Sequence, residues 1–181
     1  MLLDKIRIKN APSKAFQSSK RHSFYKGYAI FVGKALRKPL FQRFLRWLLK
    51  KENIDESLIE EVRIKVLPFQ KKNGNNLAGK WNRRGNISIF PKSYEFYGKL
   101  LAKHGNEIAH SYVKCRARAT LIHEILHAKY SRDEKKVRKL TERYFTLYAR
   151  DPRTKPKRLV TLQHNRRRCH RKVPISFCKK S

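Results

Sequence analysis

An α+β domain with basic flanks is the fold class this sequence predicts, and three observations predict it. Segments 62–68 and 86–90 alternate apolar and polar residues and each runs into a proline. Segments 39–50, 106–129 and 132–148 repeat apolar residues at helical spacing. Both ends lack a sustained period and carry a large excess of cations. The 181 residues hold 46 Lys+Arg against 13 Asp+Glu, a formal net charge of +33, yet 40% are hydrophobic and 11% aromatic. A disordered basic chain carries few aromatics, so these numbers describe a folded core inside a basic coat. The length fits one domain, divided as a basic arm over 1–34, a domain over 35–150 and a basic tail over 151–181.

Along the chain, residues 1–27 hold seven Lys/Arg and one acid without a clear period, which reads as an arm. From Pro39, which suits a first helical turn, Leu40, Phe41, Phe44, Leu45 and Leu48 form an apolar stripe, while Arg43, Arg46 and Lys50 lie largely off it. Residues 52–61 concentrate five acids, and Ser57 with Glu60 can form a capping box. The strand at Val62–Leu67 ends at Pro68, the stretch 71–76 is turn-rich, and a second strand at 86–90 ends at Pro91. Residues 93–103 are ambiguous between helix and strand. A helix over about 106–129 follows from Ile108, Tyr112, Cys115, Ala119, Ile122 and Leu126. A second, over about 132–148 with Ser131 as N-cap, carries Val137, Leu140, Tyr144 and Leu147 and stops at Asp151-Pro152.

Three cysteines do not make a disulfide framework, which predicts a reducing, cytoplasmic setting. The first residues hold no apolar run, and no 18 consecutive apolar residues occur, so neither a secretion signal nor a membrane span is expected; the acid-poor start leaves organellar import open.

His123-Glu124-Ile125-Leu126-His127 is an HExxH motif inside the longest helix expected here. Two histidines four apart project from one helical face, so their imidazoles can share a metal ion. Glu124 lies about 100° round the helix, where it reaches a water rather than the metal. The stretch Thr120–Ala128 resembles the zincin metallopeptidases, departing from their extended pattern at Lys129. The resemblance implies a zinc-dependent peptidase with Zn2+ on His123 and His127, Glu124 as general base, an edge strand for extended substrate, which Ile87-Ser88-Ile89 would suit, and a third ligand further along. Metzincins end their motif in His or Asp, and Asp133 has that position, but Tyr130 replaces the glycine of the turn. SprT-like proteases take a later His, and none occurs before His164. Gluzincin-like proteins take a Glu from the next helix; Glu134 opens that helix, three before Val137 and seven before Thr141. Glu134 is the favoured third ligand and Asp133 the second choice. Tyr130, Tyr144 and His110 are the candidates for stabilising an oxyanion. Small zincin-like proteins of phages and archaea are similar in layout.

In the tail, His164, Cys169, His170 and Cys178 lack the paired spacing of zinc modules, and the cations Arg166, Arg167, Arg168, Arg171 and Lys172 read as phosphate contacts. With Arg43, Arg46, Lys80, Arg83 and Arg84 they are the expected nucleic-acid contacts. Cations occur in every segment, which suits a protein wrapped by RNA or DNA, and no sequence-reading motif is present. The expected function is a zinc metallopeptidase associated with nucleic acid or nucleoprotein. The alternatives are a non-enzymatic RNA-binding or ribosome-associated protein on a zincin-like scaffold and, more remotely, a metal-dependent endoribonuclease.

Overall fold

A computed structural model describes residues 2–10, 18–70, 74, 76–131 and 133–154. Its elements are strand β1 (Ile6–Lys9), helices α1 (Ser19–Leu36) and α2 (Pro39–Glu52), strands β2 (Glu61–Lys65), β3 (Phe69–Gln70), β4 (Asn76–Leu77), β5 (Gly79–Trp81) and β6 (Asn86–Ile89), and helices α3 (Tyr94–Tyr130) and α4 (Glu134–Arg150). The α+β class is therefore borne out.

The main sheet has the order β1-β2-β6-β5. β1, β2 and β6 run parallel, with Ile6 beside Val62 and Val62 beside Ile87, whereas β5 is antiparallel to β6 and forms an edge. β3 and β4 make a separate two-stranded hairpin. Strand alternation decides which face is covered. Val62, Ile64, Ile87 and Ile89 are buried, and the residues between them on β2 are half-exposed cations and Glu61. α1 lies on β1 and β2, α3 lies on β5 and β6, and α4 packs along α3. On the other face Arg7 stands beside Arg63 and Lys9 beside Lys65, with Glu61 bridging Lys9 at 2.9 Å and Arg63 at 2.6 Å.

The N-terminal boundary differs from the expected arm over 1–34. Ile6 and the α1 residues Tyr25, Ala29, Val32 and Leu36 are buried in the same core as Leu45, Val62 and Leu121. The face of α1 is built of small and aromatic residues interleaved with cations, so it lacks a leucine stripe. Ser18 caps it by accepting from the Arg21 N–H.

α2 matches expectation: Pro39 opens it and Phe41, Leu45 and Leu48 are buried. The short helical turn after it is capped by Asp55, which accepts from the Ser57 N–H at 2.8 Å, not by a Ser57–Glu60 box. The ambiguous stretch 93–103 is helical, capped by Ser93, and continues into the HExxH helix across a kink at Gly105 (φ 75, ψ 173), a region open only to glycine. The buried stripe of α3 runs through Ala109, Val113, Ala117 and Leu121 into Ile122 and Leu126, one or two positions from the expected one in its first half, and Ile108 is exposed. α4 is capped by Asp133, not Ser131; Val137, Thr141, Tyr144 and Tyr148 are buried, while Leu147 faces solvent. Among the described residues no helix is long and apolar enough to cross a membrane.

Candidate metal centre

The last two turns of α3 and the first turn of α4 meet at the antiparallel edge of the sheet. His123 and His127, one turn apart, turn their Nε2 atoms to within 3.1 Å of each other. Glu134 comes to both from α4, with Oε2 3.2 Å from His127 Nε2 and Oε1 3.7 Å from His123 Nε2. One ligand atom from each of the three residues lies within 4.8 Å of the others.

Hydrogen bonds on the far side of each ring fix the tautomers. The Ser131 carbonyl can only accept, so His127 Nδ1, 3.2 Å away, carries the proton. The Thr141 hydroxyl already donates to the Val137 carbonyl at 2.8 Å and therefore accepts from His123 Nδ1 at 3.3 Å. With Nδ1 so engaged on each ring, the Nε2 atoms of the two histidines are the ones left to face each other and Glu134, and in the neutral tautomers both would offer lone pairs to a shared metal ion. Burial pushes His123 down to about 4, against the pull of the Glu134 carboxylate, so at neutral pH its contact with Glu134 is not an ion pair. The charge partner of Glu134 is Arg138, at 2.7 Å. Burial would raise the Glu134 carboxyl, but the hydrogen bond and charge of Arg138 outweigh it and hold it below the ordinary range.

The three residues could hold a metal ion, and two imidazoles with one carboxylate are a donor set that zinc accepts. A tetrahedral ion with bonds of about 2.0–2.1 Å holds its ligand atoms about 3.3 Å apart, and two imidazoles with one carboxylate leave a fourth position open. The open side is a cleft of about 470 Å³ walled by Gly79, Lys80 and Trp81 of β5 and by Phe69 and Leu77 of the hairpin.

Glu124 is 6% exposed, and its carboxyl lies against the β5 backbone. A Cβ added to Gly79 would sit 2.6 Å from Glu124 Oε1 and 2.6 Å from Thr120 Cγ2. Burial pushes Glu124 up to about 7, partly offset by a hydrogen bond from the Trp81 backbone N–H. A carboxyl titrating near neutrality and next to His123 has the acidity that proton transfer at pH 7 requires.

The other expected site residues distribute unevenly. Asp133 spends its carboxylate on the α4 cap, accepting from the Lys136 N–H at 2.9 Å, and lies outside the three-ligand group. Tyr130 and Tyr144 both donate to Glu52, which is buried at the end of α2, and His110 packs on Phe31, so none of the three borders the cleft. The expected edge strand is corrected as well: Ile87–Ile89 lies in β6, inside the sheet, and the edge is β5. Arg43 and Arg46 are exposed on α2, Lys80 on β5, and Arg83 and Arg84 in the turn after it. Arg166, Arg167, Arg168, Arg171, Lys172 and the His164–Cys178 set lie outside the described residues.

Sequence reasoning missed Gly79, Trp81 and Glu52 and saw Thr141 only as a spacing mark. The one local signal was Gly79 itself, since an isolated glycine in a short strand marks close backbone approach. No protein-family model, curated protein or solved structure matches this chain.

Proposed function

We propose that this protein is a zinc-dependent peptide hydrolase of zincin-like type, carried by its charge to nucleic-acid-bound protein. The observation behind it is the convergence of His123 Nε2, His127 Nε2 and a Glu134 oxygen at the mouth of a cleft that also holds the buried Glu124. His123, His127 and Glu134 would hold the ion, with Asp133 left to its cap. When bound, zinc supplies Lewis acidity toward water and a substrate carbonyl.

The remaining work falls to the chain's own groups. Glu124 accepts a proton from the attacking water and returns it to the leaving amide nitrogen, which its raised pKa suits. Gly79 and the Trp81 N–H hold that carboxyl in position. The outer edge of β5 pairs with no strand among the described residues, and its backbone groups other than the Trp81 N–H are offered to an extended peptide beside the cleft. The net charge of +33 supplies long-range attraction to polyanions.

The test uses the purified full chain. About one zinc per chain is expected, lost in His123→Ala. Glu124→Gln should retain zinc while abolishing cleavage of a basic, nucleic-acid-bound protein. A chain that holds no zinc, or a Glu124→Gln variant that still cleaves, refutes the reading. A non-enzymatic role on nucleic acid is the second reading, favoured by cations exposed on both α2 and β5. It predicts full zinc content with no cleavage by the unaltered chain.

A further inference from the structure

α2 buries Phe41, Leu45, Leu48 and Leu49, so its other side must face water. From Arg43 onward its exposed positions are Arg43, Arg46, Trp47, Lys50 and Lys51, four cations and one indole. Spacings of three and four residues set Arg43, Arg46, Trp47 and Lys50 along one ridge. The only acid of the helix, Glu52, is turned inward to Tyr130 and Tyr144. Asp151, which lies near enough to feel Arg43, is gripped by Arg153 at 2.6 Å.

Trp47 is 45% exposed in the middle of this ridge. Its indole is not loose. Tyr144 meets it edge-on at 5.8 Å and Phe44 lies at 5.5 Å, which fixes the ring and leaves the rest of its surface to solvent. A fixed aromatic face among cations meets the two needs of an unpaired nucleic-acid strand, stacking for its bases and positive charge for its phosphates. From Arg43 to Lys50 the ridge spans about 10 Å at about 1.5 Å per residue, the length of about three stacked nucleotides. A duplex keeps its base faces covered, so the indole would add nothing there. A lipid surface would need the apolar side of α2, and that side is in the core.

We propose that the outward face of α2 is a binding ridge for single-stranded nucleic acid, with Trp47 as stacking platform and Arg43, Arg46, Lys50 and Lys51 as phosphate contacts. It rests on the nucleic-acid half of the function proposed above and names the surface that half requires. Glu52, at the end of the same helix, is bonded to Tyr130, three residues beyond His127, so a strand on the ridge is held by an element joined directly to the end of the metal-bearing helix.

The experiment measures fluorescence anisotropy of a labelled 12-nucleotide single strand, a duplex of the same length and anionic phospholipid vesicles against the full chain, across a salt series. Trp47→Ala should weaken single-strand binding about tenfold and duplex binding less than twofold. Because Trp47 touches the core, a second variant carries the case independently. The combined Arg43→Gln, Arg46→Gln and Lys50→Gln variant alters only exposed side chains and should lower the slope of log affinity against log salt by about 2. Zinc content measured on the same samples should not change. An unchanged salt slope overturns the proposal, as does a Trp47→Ala effect equal on single strand and duplex, or one confined to vesicles. Oligonucleotide binding lost in His123→Ala but kept in the triple variant also overturns it. Binding kept in His123→Ala and lost in the triple variant supports the ridge whatever becomes of the hydrolase.

Discussion

Gly79→Ala tests how the edge strand holds Glu124 of the HExxH helix. The new methyl would stand 2.6 Å from Glu124 Oε1, 2.9 Å from Glu124 Cγ and 2.6 Å from Thr120 Cγ2. Ordinary contact begins near 3.4 Å, so carboxylate and methyl must each give by about 0.8 Å, the difference of 3.4 and 2.6. Glu124 is buried and its helix is packed on α4, so the movement has to come from its side-chain torsions or from β5. Overpacking of this kind costs about 1–3 kcal/mol, or about 2–10 °C in Tm for a chain of this size. A displacement near 1 Å of a proton-transfer group costs about 100-fold in kcat. None of the three proposed metal ligands is among the atoms nearest the new methyl, so metal stoichiometry should hold. The assay pairs kcat on a nucleic-acid-bound basic protein with zinc content and thermal melting. Gly98→Ala is the control: nothing lies within 4 Å of its added Cβ, it sits in helix, and it should stabilise by up to about 1 kcal/mol. A Gly79→Ala variant with the unaltered Tm and kcat would refute the packing argument, and one that loses zinc would refute the separation of base from ligands.

Thr141→Val keeps shape but removes the acceptor for His123 Nδ1, so zinc affinity should fall about 10–100-fold in a competition titration while the fold persists. Glu52→Ala strands the hydroxyls of Tyr130 and Tyr144 and should cost about 2–4 kcal/mol in a denaturant titration. Burial would raise the Glu52 carboxyl, but the two tyrosine hydroxyls and the Lys129 and Lys136 ammoniums hold it below its ordinary 4.5. Its contribution is therefore complete above that pH and lost as pH falls through the lower, folded value, so Glu52→Gln should flatten the acid limb of a stability–pH curve. At the other end, the bond to Glu52 and burial push Tyr130 up to about 12, and burial and the same partner do so for Tyr144. Their contribution is complete below about pH 10 and lost as pH rises through about 12. Gly105→Ala forces a side chain into a glycine-only conformation and should cost about 1–3 kcal/mol, read as a drop in Tm.

Local patterns made half of this molecule legible. The α2 stripe of Phe41, Leu45 and Leu48, the strands expected before Pro68 and Pro91, which end at Lys65 and Ile89, and the His123–His127 pair all express a period or a stop within a few residues of chain. α1 stayed hidden because its contact face uses Tyr25, Ala29, Val32 and Gly33 among cations, which has little hydrophobic contrast. β1 shows the same alternation as β2 but over four residues only. At the site, Glu134 was readable from its place at the start of the next helix, since a short turn brings it back to the histidines. Gly79, Trp81, Thr141 and Glu52 matter only through what tertiary folding sets beside them, and nothing local marks that. Two of the three unranked oxyanion candidates, Tyr130 and Tyr144, lie away from the cleft for the same reason, because a carboxylate at the end of α2 claims both hydroxyls.

The position of β1 also orders events in time. It is the first strand among the described residues, yet its partner in the sheet, β2, follows two whole helices later. α1 covers its apolar residues, but its strand pairing has to wait for β2, so closing this edge is a long-range contact of the kind that forms slowly. Once closed, it sets Arg7 abreast of Arg63 and Lys9 abreast of Lys65, with Glu61 as the acid between Lys9 and Arg63. Like charges in that arrangement push the strand outward most strongly in dilute buffer. Amide exchange is expected to be faster along β1 than along β2 and β6, with the gap narrowing as salt is added.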